Sequence, residues 1–187
     1  MVPLIDREVS AEILASCRNG DRTAYRVLYD MYKDRVYSVS LFFFRGDEAV
    51  ASDVTQQVFL KLITTIHQFK GDSAFSTWLY RLVVNACQDA ARRRKSTIVS
   101  TDRSRLESLG VPGSQEDDYA RAQQARSVRE AVSGLPPKLR IAVLLRYFDD
   151  LSYEQIAEIL RCSMGTVASR LSRGHKMLAE RLKEFHA

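Results

Sequence analysis

Three arginines and a lysine, Arg92, Arg93, Arg94 and Lys95, directly follow an apolar, aromatic stretch in FKGDSAFSTWLYRLVVNACQDAARRRK, residues 69–95. Cations are favoured at a helix C-terminus, where they complement the helix dipole, and this accounts for one or two of them. Four in succession wrap around the helix and cannot all lie beside the same carbonyl groups. A surface that binds nucleic-acid phosphates is therefore the better interpretation.

A second basic pattern lies near the C-terminus. Arg170, Arg173 and Lys176 recur every three residues, and Thr166 and Ser169 precede or accompany them on the same stretch. A short helical segment, LSYEQIAEIL, and a tight link, RCSMG, come immediately before this stretch. The arrangement is typical of a helix-turn-helix, whose second helix enters the major groove of DNA. Any antiparallel helix pair with a solvated polar face mimics the pattern, so this alternative stays open here.

Residues that could support catalysis are few. His67, His175 and His186 are isolated in the sequence, and no glycine-rich phosphate-binding loop is present. Asp149 and Asp150 are adjacent at a predicted helix end, without a partner base. The sequence therefore predicts a protein that is not an enzyme and needs no cofactor or metal.

The cysteines and the apolar stretches indicate the cellular environment. Cys17, Cys87 and Cys162 are widely separated and lack ligand spacing, so we expect buried free thiols rather than disulfides or a zinc site. The longest uncharged runs fall far short of the ~20 apolar residues of a membrane helix. The N-terminus lacks the basic-then-apolar order of a signal peptide, and a cytoplasmic location is predicted.

Apolar residues recur with helical spacing throughout, which predicts an all-α fold. In the first half, Asp21 is positioned to cap one helix, a second covers residues 51–66, and a third opens after the turn KGDS. The triplet Phe42–Phe44 is expected to close the core before a turn at Gly46. The remaining residues expected on the buried faces are Ala24, Val27, Leu28, Met31, Tyr32, Val54, Val58, Phe59, Leu62, Ile63, Ile66, Phe75, Trp78, Leu79, Leu82 and Val83.

The second half continues the helical pattern. Pro136 or Pro137 lies in the first turn of a helix, where a missing N–H group costs little. Ser152 and Gln155 have the spacing of a capping box, and Ser163 is positioned to cap the last helix. The residues expected on the buried faces are Ile141, Leu144, Leu145, Phe148, Tyr153, Ile156, Ala157, Leu160, Val167, Leu171, Leu178 and Leu182.

Charge distribution divides the chain. The net charge is +5, and it arises from two basic segments that flank an acidic one rich in serine and glycine. We therefore predict two small helical domains, residues 10–95 and 128–187, joined by an acidic flexible linker, residues 96–127. The basic balance favours a polyanionic partner.

Taken together, these stretches resemble the extracytoplasmic-function class of bacterial sigma factors, the promoter-specificity subunits of RNA polymerase. The segments that carry the resemblance are DVTQQVFLKL, FKGDSAFSTWLYRLVVNACQDAARRR and LPPKLRIAVLLRYFDDLSYEQIAEILRCSMGTVASRLSRGHKML. A short linker stands where larger sigma factors carry another folded domain. The resemblance implies that residues 10–95 form the region-two domain and residues 128–187 the region-four domain.

The resemblance implies that the first domain captures the minus-ten promoter element as a single strand. Asn85 and the loop FKGDSAF match family positions that form a pocket for a flipped base, and an amide offers both a donor and an acceptor to a base edge. Phe69 is expected to provide a stacking surface. The complete set of residues expected to contact the minus-ten element is Phe69, Lys70, Gly71, Asp72, Ser73, Asn85, Arg92, Arg93 and Arg94.

Two further surfaces follow from the resemblance. The polar face of the second helix is expected to bind the β′ clamp helices of core RNA polymerase through Asp53, Gln56, Gln57 and Lys61, although Gln57 departs from the glutamate common there. The second domain is expected to rest on the β flap and to read the minus-thirty-five element as duplex. Its contact residues are expected to be Thr166, Ser169, Arg170, Arg173 and Lys176. Ala168 departs from the family's usual Arg or Lys, which is expected to shift promoter preference.

The sequence thus predicts a non-enzymatic subunit that binds core RNA polymerase and promoter DNA. Family resemblance also implies an anti-sigma factor that occludes these faces, and no direct insertion into a membrane. A self-sufficient helix-turn-helix regulator that binds duplex operator DNA without polymerase is the alternative.

Overall fold

The computed structural model describes residues 9–98, 123 and 127–184. All secondary structure in these ranges is helical, as predicted. The N-terminal block, residues 9–98, contains α1 (Ala11–Arg18), α2 (Arg22–Phe43), α3 (Glu48–Thr65) and α4 (Phe75–Ile98), with a 3₁₀ turn, Ile66–Gln68, after α3. The acidic linker predicted for residues 96–127 lies almost entirely outside the described residues.

Each of the first three helices begins at a polar cap. The Asp21 carboxylate accepts from the backbone N–H of Thr23 at 2.8 Å, which confirms the predicted cap of α2. Ser10 and Asp47 cap α1 and α3 in the same way. Such caps satisfy backbone donors that the helix itself leaves unpaired, and they fix where each helix begins.

The core of the N-terminal block forms where α2, α3 and α4 meet. Most of the apolar positions predicted for these helices are buried or half-buried in it, and Phe43 and Phe44 close one end as expected. Two predictions are wrong: Val27 is 38% exposed and Ile63 is 47% exposed. Both residues satisfy the helical spacing, but no helix among the described residues buries either of them.

The C-terminal block, residues 127–184, contains α5 (residues 127–133), α6 (Pro137–Val143), α7 (Tyr153–Leu160) and α8 (Met164–Glu184). Pro136 is the N-cap of α6 and Pro137 its first residue, as predicted. The sequence predicted helical spacing from Ile141 to Phe148, and the structure continues α6 as a π-helical turn over residues Leu144–Phe148. The wider turn brings Phe148 and Asp149 towards the N-terminal block.

The helices α7 and α8 form the predicted helix-turn-helix. Ser152 and Gln155 make the capping box at the start of α7, and the Ser163 hydroxyl accepts from the Thr166 N–H at 3.1 Å at the start of α8. Between them Arg161 adopts a left-handed conformation, with φ of 48°. Gly174 lets α8 approach α6 closely, because a β-carbon there would lie 3.0 Å from a methyl group of Val143.

The buried face of this motif differs in part from the prediction. Tyr153 is 38% exposed, and Ile159 is buried instead. A helix of only eight residues packed on two sides, against α4 and α8, buries residues beyond one stripe. Val167 and Leu171 are fully buried, while Leu178 is half-buried towards the end of α8, where fewer elements surround the helix.

The two blocks contact each other directly. The helix α7 packs on α4, and the C-terminal end of α2 meets α6 and the π-helical turn. The rings of Phe42 and Phe148 pack with centroids 4.4 Å apart across this interface. Arg140 of α6 donates to the backbone carbonyl of Phe43, and burial together with the nearby cations Arg45 and Arg181 lowers its pKa to about 10.

No helix among the described residues has the length and apolar character needed to cross a membrane.

The thiols provide a test of this packing. Cys17 and Cys87 are fully buried, whereas Cys162 is half-exposed in the link before α8. Burial raises the pKa of Cys87 to about 12 and also raises that of Cys17, so neither forms the reactive thiolate at neutral pH. We expect a maleimide to label Cys162 quickly in the native protein, and Cys17 and Cys87 only after unfolding in guanidinium.

Labelling is measured by mass spectrometry of intact protein and of its peptides. The variant Cys162→Ser serves as control, since it should remove the fast phase alone. Equal labelling rates for Cys87 and Cys162 in the native protein would contradict the packing described.

Candidate nucleic-acid and polymerase interfaces

The helix α4 buries one face and exposes another. Val83, Val84 and Cys87 are buried in the core, whereas Asn85 between them is exposed. Arg81, one turn earlier, lies on the same outward side. The predicted base-binding amide is therefore accessible to a nucleic acid.

The loop before α4 lies beside an aromatic cluster. Phe69 packs its ring against Phe75 and Trp78, with centroids 5.5 and 5.7 Å away, and its carbonyl accepts from Arg18 at 2.5 Å. Phe69 was expected to offer a stacking surface, yet it is only 6% exposed. In this structure its ring serves as core, and stacking on a base requires the loop to move. Trp78 is half-buried against the same core, in agreement with its apolar spacing.

The rest of this loop is open to solvent. Lys70, Gly71 and Asp72 are exposed, and Ser73 is half-exposed. Gly71 has φ of +86°, a conformation that side chains other than glycine rarely adopt. Lys70 and Asp72, on either side of Gly71, are therefore accessible from solvent.

The basic run is part of α4, which extends to Ile98, and its three arginines are exposed. Arg92 pairs with Asp89 on the same helix. Arg93 donates to the Gln57 side chain at 3.0 Å, and Arg94 pairs with Asp47 at 2.8 Å. These contacts lie on exposed surface, where ion pairs are weak, so phosphate groups are able to replace them.

On α8 the predicted DNA-reading residues share one outward face. Ser169, Arg173 and Lys176 are exposed, while Thr166 and Arg170 are partly exposed. Arg173 donates to the carbonyl of Ser169 at 3.2 Å, which holds its guanidinium along the helix. Arg170 reaches back towards the Cys162 sulfur, 3.8 Å away. Within the described part of the chain, Arg173 and Lys176 form no ion pair, so both cations are available to DNA.

A groove runs between α2 and α3. Asp53 and Gln56 lie on its rim, while the other two predicted polymerase contacts, Gln57 and Lys61, are exposed on α3 outside it. Phe59 forms part of its floor, with its ring 4.8 Å from that of Tyr29. The structure thus separates the four predicted residues into two pairs, and it brings Gln57 next to the basic run.

Sequence reasoning missed the apolar part of this groove. Tyr29, Leu60 and Ile63 line it and are 45%, 57% and 47% exposed. A signal was present, because the apolar residues of α3 exceed what one buried stripe requires. Large apolar side chains left exposed together are typical of a protein-binding surface.

A buried ionic contact was also missed. Asp149, for which the sequence indicates no partner base, pairs with Arg35 of α2, and both are buried beside Tyr80 of α4. Burial raises the pKa of the Asp149 carboxyl above its usual value, although Tyr80 and Arg35 both act to lower it. Residues so far apart in sequence carry no spacing signal that would predict such a contact.

Comparison with protein families gives two matches. Residues 28–97 match the model of sigma-70 region 2, and residues 125–178 match that of sigma-70 region 4. Together they account for most of the chain, in the order that the sequence motifs indicated.

Individual relatives extend over nearly the whole chain. The RNA polymerase sigma-H factor of Pseudomonas aeruginosa is 31% identical, with 96% of this chain and 97% of that protein covered. The ECF RNA polymerase sigma-E factor of Escherichia coli K12 is 34% identical, with 89% and 90% covered. The ECF sigma factor SigW of Bacillus subtilis is 30% identical, with 90% and 94% covered.

Two solved structures share the fold. CnrH, in complex with the cytosolic domain of CnrY, superimposes with a TM-score of 0.67 at 21% identity over 92% of this chain and 96% of that one. The sigma factor RpoE of Bartonella quintana, in complex with the anti-sigma factor NepR, gives the same score at 23% identity over 85% and 96%. With both regions matched and relatives at 30% identity or more, the chain belongs to the sigma-70 family, as a sigma factor of the extracytoplasmic-function class.

Proposed function

We propose that this sigma factor binds core RNA polymerase through the groove between α2 and α3, reads the minus-thirty-five element through α8, and captures the melted minus-ten strand on α4. The observation that carries the proposal is the presence of two separate exposed faces suited to nucleic acid, one on each block. Like other members of its family, the chain acts by binding and has no catalytic activity.

The proposal for α4 depends on the side-chain amide of Asn85 together with the arginine side chains near the end of the helix. Asn85 is exposed on the same helix that presents Arg92, Arg93 and Arg94. Flipping a base costs a few kcal/mol of lost stacking and pairing, and hydrogen bonds to the base edge offset part of this cost. The three arginines supply the attraction for the backbone, and the loop Lys70–Ser73 supplies one wall of the pocket.

The proposal for α8 depends on the chemistry of its outward face. Arginine makes bidentate contacts to guanine or a single contact to phosphate, and Ser169 and Thr166 add short hydrogen-bonding groups. Ala168 is exposed and contributes no polar group at a position where the family often has a cation. We propose that this absence alters promoter choice rather than abolishing binding.

The groove between α2 and α3 fits a protein helix. Its apolar floor, formed by Phe59, Leu60 and Ile63, would bury the apolar stripe of a partner helix, and Asp53 and Gln56 on the rim would fix its register. We assign this groove to the β′ clamp helices of core polymerase, and Gln57 and Lys61 to contacts at the edge of that interface.

Three further expectations belong to this proposal. The proposed domains are residues 10–95 and 128–187, and the linker, residues 96–127, joins the domain that contains α4 to the domain that contains α8. An anti-sigma factor is a proposed partner, because the proteins of similar fold are in complex with CnrY and with the anti-sigma factor NepR. A protein that works with core polymerase on promoter DNA acts in the cytoplasm.

The stand-alone regulator is not favoured, because both the region-2 and the region-4 models match. A gel shift with duplex promoter DNA separates the two functions, since a stand-alone regulator binds tightly without core polymerase.

Replacing Asn85 by alanine tests the base pocket. We expect Asn85→Ala to reduce open-complex formation by roughly 5- to 150-fold, the equivalent of about 1–3 kcal/mol for one lost base contact. Permanganate footprinting of opened thymines in the holoenzyme complex measures the effect. Binding of the closed duplex should stay unchanged, and a parallel loss of duplex binding would contradict the assignment.

Replacing Arg173 by alanine tests the other face. We expect Arg173→Ala to weaken binding to duplex promoter DNA and, if the contact is to phosphate, to reduce the slope of log K against log salt by about 0.9. Titration of holoenzyme on duplex promoter over a range of salt concentrations measures both quantities. Opening from a premelted promoter should be unaffected, so a defect there would count against this role.

Replacing Leu60 by aspartate tests the groove. Leu60 is 57% exposed, so Leu60→Asp should leave the folding stability nearly unchanged while lowering affinity for core polymerase at least tenfold. Thr64→Glu is the matched control, because Thr64 is exposed one turn further along α3 and does not line the groove. Thermal unfolding and fluorescence titration with core polymerase are the measurements, and equal affinities of the two variants would rule out the groove as the binding site.

A further inference from the structure

The loop before α4 is held by aromatic side chains at both of its ends. Phe69 begins the loop and Phe75 is the first residue of α4, and their rings pack with centroids 5.5 Å apart. Both rings are buried, and Trp78 packs against each of them. The residues between these two anchors, Lys70–Ala74, are exposed or half-exposed. The position of the exposed residues therefore depends on how firmly the two ends of the loop are held.

Arg18, the last residue of α1, makes a further attachment at the start of the loop. Its guanidinium donates to the Phe69 carbonyl at 2.5 Å and lies 5.9 Å from the centre of the Phe69 ring. The Phe69 carbonyl belongs to the planar peptide group that joins Phe69 to Lys70, so this bond fixes the orientation of the first peptide of the loop. Hydrogen bonds from a charged donor are stronger than neutral ones, and the cation is also attracted to the ring.

The helix dipole explains only part of the placement of Arg18. A cation in the last turn of α1 complements the dipole of that helix. A side chain lying along its own helix would achieve this, whereas Arg18 reaches a carbonyl 51 residues away in the sequence. Cys17, the preceding residue, is fully buried, so α1 is itself held against the core. The contact thus joins a fixed helix to the loop.

The loop must be well positioned if it is to form a wall of the proposed base pocket. Hydrogen bonds to a base edge form over about 2.7–3.2 Å, so a wall that shifts by about 1 Å loses most of its discrimination between bases. Arg18 precedes the segment that matches sigma-70 region 2, which begins at residue 28. A tertiary contact, and not the family pattern, brings Arg18 to this loop.

We propose that Arg18 is a positioning residue of the minus-ten pocket, which holds the first peptide of the loop so that Lys70–Ser73 stay where they select one base. In this arrangement Phe69 anchors the loop through its buried ring and does not stack on the base. The role in base selection rests on the proposed function of α4, whereas the hold of Arg18 on the loop does not.

Hydrogen exchange in the free protein tests the hold on the loop. The Phe69 N–H donates to the Ile66 carbonyl at 3.0 Å, and it exchanges when this end of the loop opens. We expect Arg18→Ala to speed this exchange roughly tenfold, and Arg18→Lys, which keeps a cation and a donor, to speed it less than about threefold. Arg22→Ala is the matched control, because Arg22 is an exposed arginine at the start of α2, and it should leave the rate unchanged.

Nuclear magnetic resonance gives the exchange rate of the Phe69 amide, and maleimide labelling of Cys17 reports whether α1 stays in place. An unchanged exchange rate in Arg18→Ala overturns the hold on the loop. Rapid labelling of Cys17 in the same variant would show that Arg18 secures α1 instead of the loop, and it would likewise overturn the proposal.

Transcription in vitro tests the selection of the base. Holoenzyme assembled with core polymerase transcribes a pool of promoters randomised over the minus-ten and minus-thirty-five elements, and the products are sequenced. We expect Arg18→Ala to reduce the preference for the favoured base at one minus-ten position at least about threefold, with little change at minus-thirty-five positions. Arg18→Lys should restore most of this preference, and Arg22→Ala should leave it intact.

The outcomes separate positioning from other roles. If Arg18 only contacts phosphate, Arg18→Ala lowers transcription from all promoters alike and keeps the base preference, which overturns the positioning role. A preference that persists although the loop exchanges faster overturns it as well. If the wild-type holoenzyme shows no base preference over the minus-ten element, the proposed function of α4 fails, while the exchange rates still decide whether Arg18 holds the loop.

Discussion

The rest of the structure depends on the packing of α4. This helix is in contact with α2 and α3 inside the N-terminal block and with α6 and α7 of the C-terminal block. These contacts leave part of the surface of α4 open to solvent. Asn85 and Arg92, seven residues apart, lie on one exposed side, whereas Arg93 and Arg94 extend around the helix to contact Gln57 and Asp47. The same helix therefore holds the core together and presents the residues assigned to the melted strand.

Charge is used differently inside and outside this molecule. On the surface, Arg92, Arg93 and Arg94 make weak contacts that a polyanion is able to replace. At the interface between the blocks, Arg35 and Asp149 are removed from water, where a pair is worth little over an apolar contact but a lone charge is very costly. The exposed arginines are therefore able to exchange partners, whereas the buried pair favours one relative position of the two blocks.

Local patterns in the sequence predicted most of the helices and their starting points. Asp21, Ser152 and Ser163 were identified as caps because a capping hydrogen bond spans only two or three residues. The exposure of Val27 and the burial of Phe69 were not predictable, since they depend on which helix lies opposite. The π-helical turn and the Arg35–Asp149 pair were not predicted for the same reason, because tertiary contacts between distant residues determine both.

The close approach of α8 to α6 at Gly174 has a consequence for evolution. The side of α8 that faces α6 makes contacts such as that with Val143, and these contacts fix the tilt of α8 relative to α6. The outward side chains at Thr166, Ala168, Ser169 and Arg173 take little part in that packing. Paralogues descended from one ancestor are thus free to diverge in the genes they activate through a few substitutions on the outward side of α8. A side chain at Gly174 would instead disturb all base contacts of α8 together.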